Sequence, residues 1–307
     1  MDIQLKSPKR AALCVSVLGV LALSALVVAA AGRGAPASAE SRPAYGGTVV
    51  AGLLGQPVSV DPLTADSHAE VTLVSLLFDT LYRLVGSGTA AQLMVEPHVA
   101  AALPIVSDDG LEARIPIREE IRFHGGRRLS ARFVRRSLKR LAESRSGWLL
   151  APVRTIRVAD GAVVLELRRP TPELAALLAA PATAIVPPET PQLTRVIGSG
   201  PFRLARVDRR RQRVRLRAAE RYFAGRPYID QLTLRWYTRP EQEATDYEAG
   251  RAQMSHRGAV AFSSHRPAFR TGETSSAATM LTYIGFGKSA AHAAITSSSD
   301  FRRALSL

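Results

Sequence analysis

Ile121-Arg122-Phe123-His124-Gly125-Gly126, followed by Ser130-Ala131-Arg132-Phe133-Val134-Arg135-Arg136-Ser137-Leu138-Lys139-Arg140, is the stretch from which the fold is read. Gly125-Gly126 marks a tight turn after a short extended run. Ser130 is placed to cap a helix, since its side chain can take an amide left unpaired in the first turn. From there Phe133, Val134, Ser137, Leu138 and Leu141 fall on one face and Arg132, Arg135, Arg136 and Lys139 on the other. That is the 3.6-residue period of a helix with one apolar and one solvated side.

Working outward, Leu111, Ala113, Ile115 and Ile117 alternate with charged residues and Pro116, the two-residue period of a half-buried strand. Pro116 lacks an amide proton, so this strand is predicted at a sheet edge. Val153–Val158 and Ala162–Arg168 flank Asp160-Gly161, a strong two-residue hairpin signal. Thr171-Pro172-Glu173 opens a predicted helix whose apolar body is 174–180. Upstream, Gly46-Gly47 leads into a buried strand at Thr48–Leu54, Asp61-Pro62 makes a turn, and a helix capped by Asp66 or Ser67 is predicted to run to about Leu84.

Downstream, Phe202–Val207 and Gln212–Ala218 form a second predicted hairpin. Arg211, Arg213, Arg215 and Arg217 lie on one side of it and Val214 and Leu216 on the other. Leu232, Leu234 and Trp236 mark a further strand, Pro240–Glu248 a short helix before Gly250, and Met280–Phe286 another strand. Strands and helices are interspersed, so the class is α/β with α+β mixed sheets.

The first 39 residues have a separate character. Lys6, Lys9 and Arg10 precede an uncharged run from Ala11 to Ala31, and Ala37-Ser38-Ala39 offers a small-x-small cleavage site. This is the pattern of an export signal, expected to be cleaved after Ala39. The run is also long enough to be kept as a membrane anchor. Either way the rest of the chain lies outside the cytoplasm, in the periplasm. Residues 1–39 carry four positive charges and one negative, which leaves +12 of the formal +15 for residues 40–307. The one cysteine, Cys14, lies within the signal, so disulfides and cysteine-ligated metals are excluded beyond it.

The motifs of catalysis are absent. Gly287-Lys288-Ser289 ends like a phosphate-binding loop, but Thr282 stands where its first glycine is needed. Gly-x-Ser-x-Gly, Ser-x-x-Lys and His-Glu-x-x-His do not occur. The six histidines have no ligand spacing and read as surface or turn residues, so no metal and no cofactor is expected. The arginine clusters lack interleaved aromatics, which argues for a solvated basic surface rather than for nucleic acid.

In order, these landmarks resemble the family 5 solute-binding proteins of ABC importers, the dipeptide- and oligopeptide-binding group. Gly46-Gly47-Thr48-Val49-Val50 with Val58-Ser59-Val60-Asp61-Pro62 is similar to the family's opening strand and its Ser-Leu-Asp-Pro turn. Phe78-Asp79-Thr80-Leu81 resembles its Phe-Glu-Gly-Leu segment. The most specific likeness is the stretch quoted above together with Asp108-Asp109-Gly110 and Ile117-Arg118. Gly198-Ser199-Gly200-Pro201-Phe202 is similar to the family's Gly-Thr-Gly-Pro-Tyr crossing, and Tyr222-Phe223-Ala224-Gly225-Arg226-Pro227-Tyr228-Ile229-Asp230 to its Tyr-x-x-Gly-x-Pro-Tyr-Leu-Asp lead. Gly125 and Phe133 stand where the family usually has aspartate, and Glu96-Pro97-His98-Val99-Ala100 is a loose form of its Pro-x-Leu-Ala-Glu.

The resemblance implies a periplasmic-binding-protein-like first lobe with an inserted α+β domain and most of a second lobe missing. Its expected divisions are a signal at 1–39, first lobe at 40–66, inserted domain at 67–177, first lobe again at 178–290 and the start of a truncated second lobe at 291–307, where Ser299–Leu305 resembles that lobe's opening. It further implies a non-enzymatic binder of a small peptide or related solute, working with ABC permease subunits in the inner membrane. Gln56, Trp148 and Tyr283 match regions that face the cleft. The alternatives are a non-binding remnant of such a protein or a membrane-anchored basic surface protein.

Overall fold

The computed structural model describes residues 44–86, 93–189 and 191–254. From Tyr45 onward these belong to one unit. The expected signal at 1–39, Tyr283, the 280–286 strand and the 291–307 segment lie outside the described residues.

The described residues lead into β1 (Thr48–Leu54), turn at Asp61-Pro62 and enter α1 (His68–Leu77). A ribbon of β2 (Tyr82–Gly86) and β3 (Leu93–Pro97) follows, then β4 (Ile105–Val106), β5 (Glu112–Pro116) and α2 (Ala131–Ala142). The hairpin of β6 (Val153–Ala159) and β7 (Ala162–Leu167) leads to α3 (Leu174–Leu177). A second hairpin, β8 (Phe202–Asp208) and β9 (Arg213–Ala218), precedes β10 (Gln231–Tyr237) and α4 (Pro240–Glu248).

Two four-stranded sheets build two cores. In the first, ordered β1-β10-β9-β8, β1 runs parallel to β10 and the other pairs are antiparallel. Alternation buries Ala51, Leu53, Val214, Leu216, Leu232, Leu234 and Trp236 on one face, against Leu73, Val74 and Leu77 of α1. Past α4 the chain returns to β1, where Gln253 and Met254 donate their amides to the Val50 carbonyl, so the β1 edge is paired. The second sheet, ordered β4-β5-β7-β6, is antiparallel throughout and packs Ala113, Ile115, Val163 and Leu165 against Val134, Leu138 and Leu141 of α2. Asp160 and Gly161 both take positive φ, the hairpin turn expected from their sequence.

Three expectations are corrected. α1 ends at Leu77 rather than near Leu84, because Phe78 turns extended and Tyr82–Gly86 pairs with Leu93–Pro97 instead. β5 is an inner strand; β4 is only two residues long and stops at Arg114, so Pro116 faces no β4 amide or carbonyl. The helix over 174–180 shrinks to Leu174–Leu177, and Thr171 bonds the Arg169 carbonyl instead of capping it.

Candidate functional site

In open α/β sheets, ligands meet the carboxyl ends of parallel strands. Here β1 and β10 end together, tied by the Gly55 amide donating to the Tyr237 carbonyl (2.9 Å). Gly55 takes φ +85°, a conformation open to glycine, and turns the chain into the loop that carries Gln56.

That loop is fixed by Glu70 on α1. Ser67 caps the helix and Glu70 completes the capping box. The Glu70 carboxylate, almost fully buried, then gathers more amides: Val58 (3.0 Å) and Ser59 (2.9 Å) on Oε1, Asp66 (3.2 Å) and Ser67 (3.3 Å) on Oε2. Burial raises its pKa, but the four amides outweigh burial and hold the group below the ordinary carboxylate value.

α2 clamps the same loop from the second core. Arg140 pairs with the buried Asp61, whose Oδ1 also accepts the Leu63 amide (3.1 Å). Arg145 reaches the Thr64 carbonyl and Asp66 Oδ2, each at 3.3 Å. Trp148 follows in a short 3-10 turn (Gly147–Leu150) and is 69% exposed. Gln56 is exposed as well, and Val58 beside it is 73% exposed. The structure therefore puts both on the surface, Gln56 on the loop that leaves β1 and Trp148 three residues past Arg145, with no hydrogen bond between them. Tyr283 lies outside the described residues.

A second polar cluster sits where the two cores join. Asp79 Oδ1 accepts from the Tyr222 hydroxyl (2.8 Å) and lies 2.9 Å from His98 Nε2; Asp79 Oδ2 is buried without a partner. Burial first, and the Asp79 charge second, push the Tyr222 hydroxyl pKa well up, so it stays a donor. His124 lies close by. The Gly198 amide donates to its Nδ1 (3.2 Å), which leaves Nε2 to donate to the Gly200 carbonyl (2.9 Å). Burial, helped by Arg203, lowers the His124 pKa and keeps the ring neutral. His124 lies in a turn, as expected, and both His98 and His124 are partly buried at this joint rather than on the surface. Among the described residues, no group of three or more histidine, cysteine or acidic side chains is placed to hold a metal.

Sequence reasoning missed Glu70, the Asp61–Arg140 pair and the Asp79–His98–Tyr222 cluster. Only the first had a local signal, Ser67-x-x-Glu70.

Comparison with known proteins places this architecture. The family model of bacterial extracellular solute-binding proteins, family 5 (middle region), matches residues 94–307. The chain is similar to the oligopeptide-binding protein AppA of Bacillus subtilis, 26% identical over 249 residues, covering 75% of this chain and 44% of AppA. The structure of AppA in complex with a nonapeptide superposes with TM-score 0.60 at 24% identity, over 69% of this chain and 44% of AppA. NikA of Staphylococcus aureus, solved with Ni(L-His)2, superposes with TM-score 0.56 at 19% identity, over 67% of this chain and 42% of NikA. The chain thus spans less than half the length of these relatives, which are binding proteins of an extracytoplasmic family. With a family model matching well over half of its residues, the chain belongs to the bacterial extracellular solute-binding proteins of family 5.

Proposed function

We propose that the chain supplies the first lobe and inserted domain of the extracytoplasmic, non-enzymatic solute-binding component of an ABC importer, and that its solutes are short peptides. The carrying observation is the loop at the carboxyl ends of β1 and β10, which carries exposed Gln56 and is held by Glu70, Arg140 and Arg145, with exposed Trp148 following Arg145 in the chain. A large aromatic left in solvent costs free energy that contact with a ligand recovers. Rigid support keeps the ordering cost of binding low. The likeness to AppA, an oligopeptide-binding protein, supports peptides as the class. Export by the 1–39 signal and delivery to permease subunits complete this reading.

The test is a thermal melt of residues 40–307 with and without a mixed pool of di- to pentapeptides. A ligand that binds only the native state raises the midpoint by mass action. The reading expects a saturable rise that Trp148→Ala reduces at least fivefold in apparent affinity while leaving the ligand-free midpoint within about 1 °C, as fits a surface residue. A cooperative melt with no shift at millimolar peptide would count against peptides as the solute. A rise unchanged by Trp148→Ala and Gln56→Ala would remove this surface as the contact.

A further inference from the structure

The outer face of the first sheet carries charge in an unusual arrangement. Core residues alternate inward along β9, which leaves Arg215 and Arg217 on the other side, and a bulge between Leu204 and Arg206 of β8 brings Arg203 and Arg206 to that same side. The register sets Arg203 directly opposite Arg217 and Arg206 opposite Arg215. Like charges facing each other across antiparallel strands destabilise the pair. Among the described residues none of these four arginines has a carboxylate at ion-pair distance. The Arg211 amide first, and the charges of Arg206, Arg211 and Arg215 after it, lower the pKa of Asp208 at the end of β8. Nearby Glu220 and Asp230 are already held by Arg226. The four arginines, with Thr48 and Gln231, line an open groove of about 860 Å³.

The other end of the same face shows how such charge is met. There α4 lies over the sheet, with Glu243 seated against Gly52, where a Cβ would come within 2.3 Å of Glu243 Oε1. Asp246 takes Arg235, Arg251 Nε (2.6 Å) and the Tyr237 hydroxyl (2.8 Å) in one buried carboxylate. Burial raises the pKa of Asp246, but its donors outweigh burial and lower it. An acidic helix on an arginine-bearing sheet face is thus a packing this molecule already uses, and among the described residues α4 is the helix on that face.

We infer that the Arg203–Arg217 and Arg206–Arg215 pairs seat a second acidic helix, beside α4, supplied by another polypeptide. Spacing supports a helix: cross-strand side chains stand about 5 Å apart and alternate residues along a strand about 7 Å. Carboxylates at i and i+4 of a helix, about 6 Å apart, match that lattice. Residues 255–307 do not fit, since they carry six Lys and Arg against Glu273 and Asp300. The groove has no aromatic in its lining, which disfavours stacked nucleic acid.

The test titrates the full chain into a labelled 15-residue helical peptide with four Glu along one face, its Gln counterpart, and a scramble of the same composition with the Glu spread around the helix. The Glu-faced peptide is expected to bind at 20 mM salt and weaken at least tenfold by 200 mM. The Gln and scrambled peptides are expected to bind at least tenfold more weakly. Arg215→Gln with Arg217→Gln should remove binding at least tenfold, with the melting midpoint kept or raised because one arginine of each opposed pair is gone. Equal binding of the scramble, full displacement by an oligophosphate at equal charge, or unaltered binding by the double variant would each overturn the proposal. Solute binding is scored separately. The Arg215/Arg217 variant should keep the peptide-pool shift, and Trp148→Ala should keep the Glu-helix affinity, so failure of either reading leaves the other standing.

Discussion

Glu70 shows how one side chain decides the geometry of the loop at the candidate site. Its carboxylate is the shared acceptor of four main-chain amides from two separated segments, 58–59 and 66–67. Hydrogen bonds to an ionised acceptor are the strong ones, and four together exceed the desolvation of the buried charge. Glu70→Gln keeps the shape but turns an NH2 toward two amide donors. The expected cost is about 3 kcal/mol in urea unfolding at pH 7, from two unsatisfied buried donors and the lost charge. The pH dependence has a definite sign. Because the folded pKa lies below the ordinary value, this contribution is complete above the unfolded pKa of about 4.3 and fades as pH falls through the folded one. The gap between wild type and variant should therefore close in acid. A gap constant from pH 7 to pH 2 would show that Glu70 acts by shape alone.

At the scale of elements, the crossing at Gly198-Ser199-Gly200 is where the end of α1 touches the joint between the cores. The Gly200 amide donates to the Leu77 carbonyl (3.0 Å). A Cβ on Gly198 would stand 1.7 Å from that same carbonyl oxygen, which backbone cannot yield. Gly198→Ala is expected to cost about 3 kcal/mol or more, or to prevent folding. Gly125→Ala, whose nearest neighbour would be Ile197 Cγ2 at 3.7 Å, should shift the denaturation midpoint little. Comparable losses in both would mean that chain flexibility, not the close approach, sets the requirement. The same crossing explains what the sequence could and could not show. Strands β1, β6 to β10 and helices α2 and α4 were legible because each carries its own period and punctuation, such as Asp160-Gly161 and Gly250. The early end of α1 was not. Leu81 continues the helical spacing, and only remote partners, Gly200 on Leu77 and Leu93–Pro97 on Tyr82–Gly86, divert the chain. In the candidate site Gln56 and Trp148 came only from the family resemblance, and Arg140 reads as one more cation on a basic helix until Asp61, 79 residues earlier, is brought to it.

For the molecule as a whole, the question is how the two cores share one surface. α2 belongs to the second core, yet Arg140 and Arg145 at its end hold the loop that leaves β1 in the first. Asp61 is buried, so removing its partner leaves a charge in low dielectric rather than returning it to water. Arg140→Met is expected to cost about 2 kcal/mol, less than a fully buried pair because Arg140 is about one-third exposed. Asp61→Asn in the same chain should restore part of it, the coupling expected of groups in contact. Hydrogen exchange locates the loss. Amides of Leu63, Thr64 and Ala65, which bond to Asp61, should exchange faster, while those pairing β5 with β7 keep their protection until global unfolding. Under the proposed function, peptide affinity should fall with loop protection, since Gln56 stands on the loop being released. If the β5–β7 amides lost protection in step with the loop, the two cores would unfold as one unit, and the clamp would act on global stability rather than on the binding surface.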